Sequence, residues 1–232
     1  MISAATDTAL LFFTRSASAE ARVKALLPQR NRAQQLAGIM NRRTITLVKA
    51  TELPHFVVDE KFQIGADFGS RLYSAFTQVF QRGFDKVIAI GNDCPALTVD
   101  LIWQAQGRLE AADMVLGPSV DGGVYLLGLS KDFFYDLDFN ALPWQTETLF
   151  THLQQLDPDK KIVTDLPCLY DIDTYADLKR LFLKAVLPVW LVVVLVWLLL
   201  FDSPIWLLAF AKKANTCLSQ RRLRAPPSLS LL

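Results

Sequence analysis

The chain of 232 residues has no glycine before Gly38, only two histidines, His55 and His152, and only three cysteines, Cys94, Cys168 and Cys217. Each scarcity excludes something. Two histidines cannot build a histidine-rich metal centre, and three widely spaced cysteines match no zinc or redox motif. Any metal is therefore expected on oxygen ligands, in a reducing compartment. Without an early glycine, the first strand is not followed by the kind of glycine-rich loop whose amides cradle a triphosphate. The N-terminus also lacks a basic segment, and its first apolar run, residues 9–13, is shorter than the roughly 7 to 15 residues of a signal-peptide core. The body is accordingly expected to face the cytoplasm.

What is abundant is apolar: 52% of the residues are hydrophobic and the mean hydropathy is +0.26, which excludes a disordered chain. The formal charge of +1 conceals two unlike parts. From Lys179 onward eight bases stand against the single acid Asp202, whereas the first 178 residues hold 16 bases and 22 acids. The positive charge sits beside an apolar run and not on the globular part, so no nucleic-acid partner is expected. Residues 186–201, VLPVWLVVVLVWLLLF, carry no charge over sixteen positions. As helix they would extend roughly 24 Å against a hydrocarbon core of about 30 Å. Extension back to Leu181 past a snorkelling Lys184, or forward to Ala211, reaches spanning length. The reading is a body over residues 1–183 and a C-terminal membrane anchor with a basic tail over residues 184–232. Either a single span or a monotopic helix broken at Asp202, Ser203 and Pro204 fits.

Within the body, short β-rich runs alternate with amphipathic helical stretches. Residues 9–14, 44–49, 56–58, 86–90, 114–116 and 124–129 read as strands; residues 31–41, 68–81, 99–111 and 147–155 read as helices. This alternation predicts an α/β fold with a mixed, mostly parallel sheet covered on both faces. In such sheets ligands bind beyond the carboxyl ends of the strands, so the loops after ALLFFT, KVIAI and MVLG are where chemistry is expected.

Acids and glycines concentrate in those loops. Gly91-Asn92-Asp93-Cys94-Pro95 follows KVIAI, and Asp93 either holds a divalent cation or makes an Asx turn. Asp121-Gly122-Gly123 precedes a strand, where the glycines suit a close backbone approach and Asp121 is a metal ligand, a general base or an ordinary turn residue. Asp171 and Asp173 alternate along an extended segment and point the same way, while Thr174 with Asp177 has the spacing of a helix-starting capping box.

In order, GNDCPALT, VLGPSVDGGVYLLGL, LPWQTETLF and YDIDTYADLKRL resemble the glycosyltransferase-like family (domain of unknown function 2064) of the nucleotide-diphospho-sugar transferase superfamily, which has a GT-A fold. The resemblance covers about residues 8 to 183. It implies transfer of a sugar from a nucleotide-diphosphate sugar, with Mg²⁺ or Mn²⁺ held by Asp93 as a DxD-like acid together with Asp171. Asp121 and Asp173 are then the catalytic carboxylates. Substrate contacts fall on Arg15, Lys24, Asp67, Arg71, Asn92, Gly122, Gly123, Trp144 and Thr146. The family's first loop resembles K-x-P-x-P-G-x-V-K-T-R-L, of which only Val23-Lys24 survives closely here, although Arg15, Arg22 and Lys24 still supply positive charge. Trp144 either stacks on the base or sugar or packs beneath the following helix. Two alternatives stand beside sugar transfer: nucleotidyl transfer of the molybdopterin or coenzyme guanylyltransferase type, and a non-catalytic nucleotide-sugar-binding membrane module. A cytosol-facing transferase held at a bilayer suits a lipid or lipid-linked acceptor.

Overall fold

The segment TALLFF forms strand β1 (Thr8–Phe13), and its apolar residues are divided by the two-residue period of a strand. Ala9 and Leu11 enter one core cluster with Val87, Ala89, Leu127 and Leu129, while Leu10 and Phe12 enter a second with Ile88, Ile90 and Leu126. A strand so continuously apolar needs cover on both faces. The computed structural model, which describes residues 7–156 and 161–200, supplies it. β1 is joined by β2 (His55–Val58), β3 (Lys86–Ile90), β4 (Met114–Pro118), β5 (Val124–Ser130) and β6 (Ile162–Val163) in the order β2-β1-β3-β5-β4-β6. Every neighbouring pair is parallel except those made by β5, which runs antiparallel between β3 and β4.

Helices cover each face. Helix α2 (Arg30–Ala50) and α4 (Val99–Leu109) bury Val48, Ile102, Ala105 and Leu109 in the second cluster. Helix α3 (Phe68–Phe80), α5 (Lys131–Asp136) and α6 (Leu149–Gln154) bury Phe76, Phe80, Phe133, Phe134, Leu149 and Leu153 in the first. Each of these side chains except Ala105 contributes about 2 kcal/mol relative to exposure. Helix α1 (Ala17–Val23) follows β1, and α7 (Tyr175–Leu183) and α8 (Val189–Leu200) close the described chain. The mixed, mostly parallel sheet with helices on both faces is the architecture expected from the sequence.

One expected strand is helical. TITLVK, residues 44–49, lies in the second half of α2, where Met40, Thr44 and Val48 recur every fourth residue on the buried face. The hydroxyls of Thr44 and Thr46 donate to the carbonyls of Met40 and Arg42, so the β-branched residues are accommodated inside the helix. Burial of a helical stripe overrides local β propensity here. The capping box at Thr174 and Asp177 is present at the start of α7.

A first compact unit extends to Val192, and residues from Val193 form a second, of which the described part is the remainder of α8. α8 contains no charged residue over its twelve positions. Among the described residues no helix is long and apolar enough to cross a membrane, and residues 201–232 of the expected anchor lie outside the described residues.

Candidate active site

Because β1, β3 and β4 share a direction, their carboxyl ends lie along one edge of the sheet, and antiparallel β5 begins there. Loops from that edge and the segment preceding α7 line a cleft of ≈380 Å³. Four stretches distant in sequence bring most of its charged groups together.

The first follows β1. Ser16 caps α1: its hydroxyl accepts from the Ala19 N–H at 3.3 Å and donates to Glu60 Oε1 at 2.5 Å, and its own N–H donates to Glu60 Oε2 at 2.6 Å. α1 carries Glu20 inward and delivers Lys24 just past its end. Lys24 Nζ lies 2.5 Å from Asp173 Oδ1, 3.0 Å from Asp93 Oδ2 and 3.3 Å from Glu20 Oε1, while Arg15 approaches Glu20 Oε2 at 3.5 Å. Burial by itself would lower the Lys24 pKa, but the Asp93, Asp173 and Glu20 charges outweigh it and raise it above the ordinary lysine value.

The second stretch follows β3. A Cβ on Gly91 would stand 2.8 Å from Asp93 Oδ1, so glycine makes room for that carboxylate. Burial would raise the Asp93 pKa; the charge of Lys24 and its hydrogen bond prevail and hold the carboxyl below the usual range. Buried Asn92 donates to Asn41 Oδ1 at 2.6 Å, which also accepts from the Thr14 hydroxyl, while Asn41 Nδ2 donates to the Arg15 carbonyl at 2.8 Å. The ends of β1 and β3 are thereby tied to α2. Neighbouring Cys94 is buried, and burial, then the Asp93 charge, pushes its thiol up to about 12, so it is no nucleophile at neutral pH.

The third stretch is the turn over residues 119–123. Gly122 has φ +89°, and a Cβ there would fall 1.9 Å from the Glu147 carbonyl oxygen, so only glycine fits. Asp121 Oδ1 accepts the Ser119 hydroxyl at 2.5 Å and the Gly123 N–H at 2.9 Å, which fixes its orientation.

In the fourth stretch Ile172 is fully buried, and its N–H donates to the Asp93 carbonyl at 2.9 Å. The alternation of an extended chain then turns Asp171 and Asp173 the other way. Carboxylate oxygens of Asp121, Asp171 and Asp173 lie within 4.8 Å of one another. Among the described residues neither Asp121 nor Asp171 pairs with a lysine or arginine. Burial first, then the charges of Asp121, Asp93 and Asp173, push the Asp171 carboxyl up to about 7.

Six acids line the cleft, Glu20, Asp93, Asp121, Glu147, Asp171 and Asp173, against two bases, Arg15 and Lys24. An all-oxygen set with excess negative charge fits a hard cation of the Mg²⁺ or Mn²⁺ class. Of the residues singled out in the sequence, Arg15, Lys24, Asn92, Asp93, Asp121, Gly123, Trp144, Thr146, Asp171 and Asp173 all line the cleft, and Gly122 shapes one of its turns. Asp67 and Arg71 do not line it: the Asp67 carboxylate caps α3 in a box with Ser70, and the Arg71 guanidinium donates to the Ala66 carbonyl at 3.5 Å. Trp144 donates its indole N–H to the Phe139 carbonyl at 2.7 Å and packs on α3 at Gly69, where a Cβ would lie 2.5 Å from the ring. The Thr146 hydroxyl is held by the Pro143 carbonyl at 2.7 Å. Sequence reasoning missed Glu20, Ser119, Gln63 and Glu147. Glu20 stood four residues before Lys24, the spacing of a helical ion pair.

Residues 46–146 match the family described as "Uncharacterized protein conserved in bacteria (DUF2064)". No curated protein matches the chain. Among solved structures, a protein of Desulfovibrio desulfuricans provisionally named a nucleotide-diphospho-sugar transferase is 20% identical, with a TM-score of 0.63 over 79% of this chain and 99% of that one. Rv0371c of Mycobacterium tuberculosis is 15% identical, with a TM-score of 0.51 over 77% of this chain and 98% of that one. At these identities the likeness is one of fold. The family resemblance read from GNDCPALT, the DGG turn and PW-x-T therefore holds: residues 46–146 match that family, on a fold shared with those two structures.

Proposed function

We propose that the chain is a glycosyltransferase that takes a nucleotide-diphosphate sugar as donor and uses Mg²⁺ or Mn²⁺. The observation that carries this reading is the convergence of Lys24, Asp93, Asp121, Asp171 and Asp173 in one cleft at the carboxyl edge of the sheet. Asp121 and Asp171 hold the cation in this reading, which departs from the sequence expectation of Asp93 with Asp171, because Asp93 Oδ2 and Asp173 Oδ1 are each already paired with Lys24. When bound, such an ion stabilises charge on a leaving diphosphate. Lys24 and Arg15 add positive charge to the same cleft. Asp121, with one oxygen fixed by Ser119 and Gly123, is held in one orientation for that ion.

The first loop favours sugar transfer over nucleotidyl transfer. Its amides are already used within the protein: Thr14 N–H on the Val58 carbonyl, Ser16 N–H on Glu60 and Ala19 N–H on Ser16. None of these three remains to cradle a triphosphate. Thermal shift against a panel of nucleotides and nucleotide sugars, with and without Mn²⁺, tests the reading. A Mn²⁺-dependent rise with a nucleotide-diphosphate sugar, followed by release of free nucleoside diphosphate on adding acceptor, is expected. Pyrophosphate release from a nucleoside triphosphate would replace it with nucleotidyl transfer. Tight binding without turnover across acceptors would replace it with the non-catalytic module.

Membrane attachment through the C-terminal segment, with the body in the cytoplasm and a lipid or lipid-linked acceptor, is part of the same proposal. It is supported by the uncharged helix α8 and by the basic residues Lys212, Lys213, Arg221, Arg222 and Arg224 in the sequence beyond it. The full chain is expected to float with anionic phosphatidylglycerol vesicles and to stay bound through an alkaline carbonate wash. Sedimentation as free protein would overturn the attachment.

A further inference from the structure

The loop between β3 and α4 contains Pro95, which has no N–H, and the carbonyls of its irregular backbone must find donors outside the sheet ladder. Most of its carbonyls are accounted for. The Asp93 carbonyl takes the Ile172 N–H at 2.9 Å, and that of Cys94 takes the Leu97 N–H at 3.3 Å. The remaining two partners are side chains from elsewhere. Trp190 donates its indole N–H to the Pro95 carbonyl at 3.4 Å, and Arg43 of α2 donates both terminal nitrogens to the Leu97 carbonyl, at 3.2 and 3.3 Å. Arg43 also lies over the Trp190 ring, with 4.7 Å between the guanidinium carbon and the ring centroid. One cation–π pair therefore clamps the loop at two points, two and four residues beyond Asp93.

We infer that Trp190 and Arg43 are positioning residues that set the Asp93 loop, and with it the place of Asp93 against Lys24. This rests on the reading of Asp93 as part of the active site. Trp190 belongs to the first compact unit, although it lies in the apolar segment that the sequence marks as anchor. The functional body thus reaches past residue 183, and a truncation at residue 184 removes part of the site's support along with the tail.

The test uses the full-length chain and two cysteines as reporters. Cys94, in the clamped loop, is buried, whereas Cys168 is exposed. N-ethylmaleimide labelling under native conditions, read by peptide mass spectrometry, gives the rate at Cys94 relative to Cys168. Trp190→Ala is expected to raise that ratio about tenfold with little change in the urea midpoint, because the opening is local. Trp190→Phe keeps a ring for Arg43 but loses the donor, and is expected to fall between; Arg43→Gln should resemble Trp190→Ala. Should Trp190→Ala fail to fold, the two milder variants carry the measurement. An unchanged ratio in both Trp190→Phe and Arg43→Gln would overturn the inference. In parallel, the variants should weaken the Mn²⁺-dependent thermal shift with nucleotide sugar by about tenfold in apparent affinity. A wild-type chain showing no such shift would count against the active-site reading alone, because the cysteine ratio decides the clamp without it.

Discussion

The two sides of the cleft settle their charge differently. On one side Lys24 is shared among Glu20, Asp93 and Asp173, and Asp93 is held below the usual carboxylate range. On the other, Asp121 and Asp171 crowd together with no lysine or arginine partner among the described residues, and Asp171 is pushed up to about 7. Aspartates lining one cleft are thus displaced in opposite directions by their neighbours. In the proposed reading, the acids that the fold leaves without a basic partner are the ones offered to the cation, beside others that it pairs with its own lysine.

The largest effect is expected from breaking the balanced side. Lys24→Ala leaves three carboxylates without their shared counter-charge and should cost about 3 kcal/mol in urea unfolding. Added Mn²⁺ should return part of that loss, making the balanced side behave like the other. On the crowded side, Asp121→Asn combined with Asp171→Asn should abolish metal stabilisation. Where the wild type gains about 2.7 kcal/mol at an ion concentration 100-fold above its dissociation constant, the double variant should gain nothing in the same melting experiment. Gly122→Ala, which drives a methyl group into the Glu147 carbonyl, should destabilise by about 2 kcal/mol and weaken ion binding by displacing Asp121.

The pH dependence separates the two sides by sign. The folded Asp171 pKa exceeds its ordinary value of 3.8, so the folded state binds more protons in the interval and the metal-free protein loses stability as pH rises from about 4 to about 7. Asp93, held low, does the reverse: its contribution is present above the ordinary carboxylate range and is lost as pH falls through its folded pKa. Urea midpoints of wild type and Asp171→Asn without metal should therefore diverge between about pH 5 and 7, and Mn²⁺ should remove the divergence. A wild-type curve parallel to that of Asp171→Asn would sink the claim of crowding. The smallest effect belongs to Asp67→Ala, outside the cleft, which should lower the melting temperature slightly through loss of the α3 cap and leave nucleotide-sugar binding untouched.

The strands that carry the site could be read from sequence because ALLFFT, KVIAI and MVLG are short apolar runs with turn signals at their ends. Asp93 and Asp121 are legible for the same reason, each following such a run, whereas Asp171 and Asp173 are legible only as carboxylates alternating along an extended segment. TITLVK misled, since β-branched residues spaced to leave Thr44 and Val48 on one helical face carry both signals, and tertiary burial chose between them. The two residues resembling the family's motif that fall outside the cleft, Asp67 and Arg71, show a different limit. The Asp67 carboxylate is taken up locally, as the N-cap of α3 in a box with Ser70. Lys24 could be named as a source of charge, but not as a hub. Its three partners come from α1, from the loop after β3 and from the segment ahead of α7, a convergence that no local pattern contains.

The stitching of that last segment bears on the order in which the molecule comes into being. Ile172 bonds to the Asp93 backbone, and the Tyr175 N–H bonds to the Ala25 carbonyl, so residues from late in the chain close onto ones made early. Such long-range closure is slow to form compared with the hairpin of β4 and β5. On a ribosome, Lys24 would meet Glu20 and Asp93 well before Asp173 had been synthesised. The crowded carboxylates meet last, and a nascent chain is spared a high-charge pocket until the sheet that must bear it is already built.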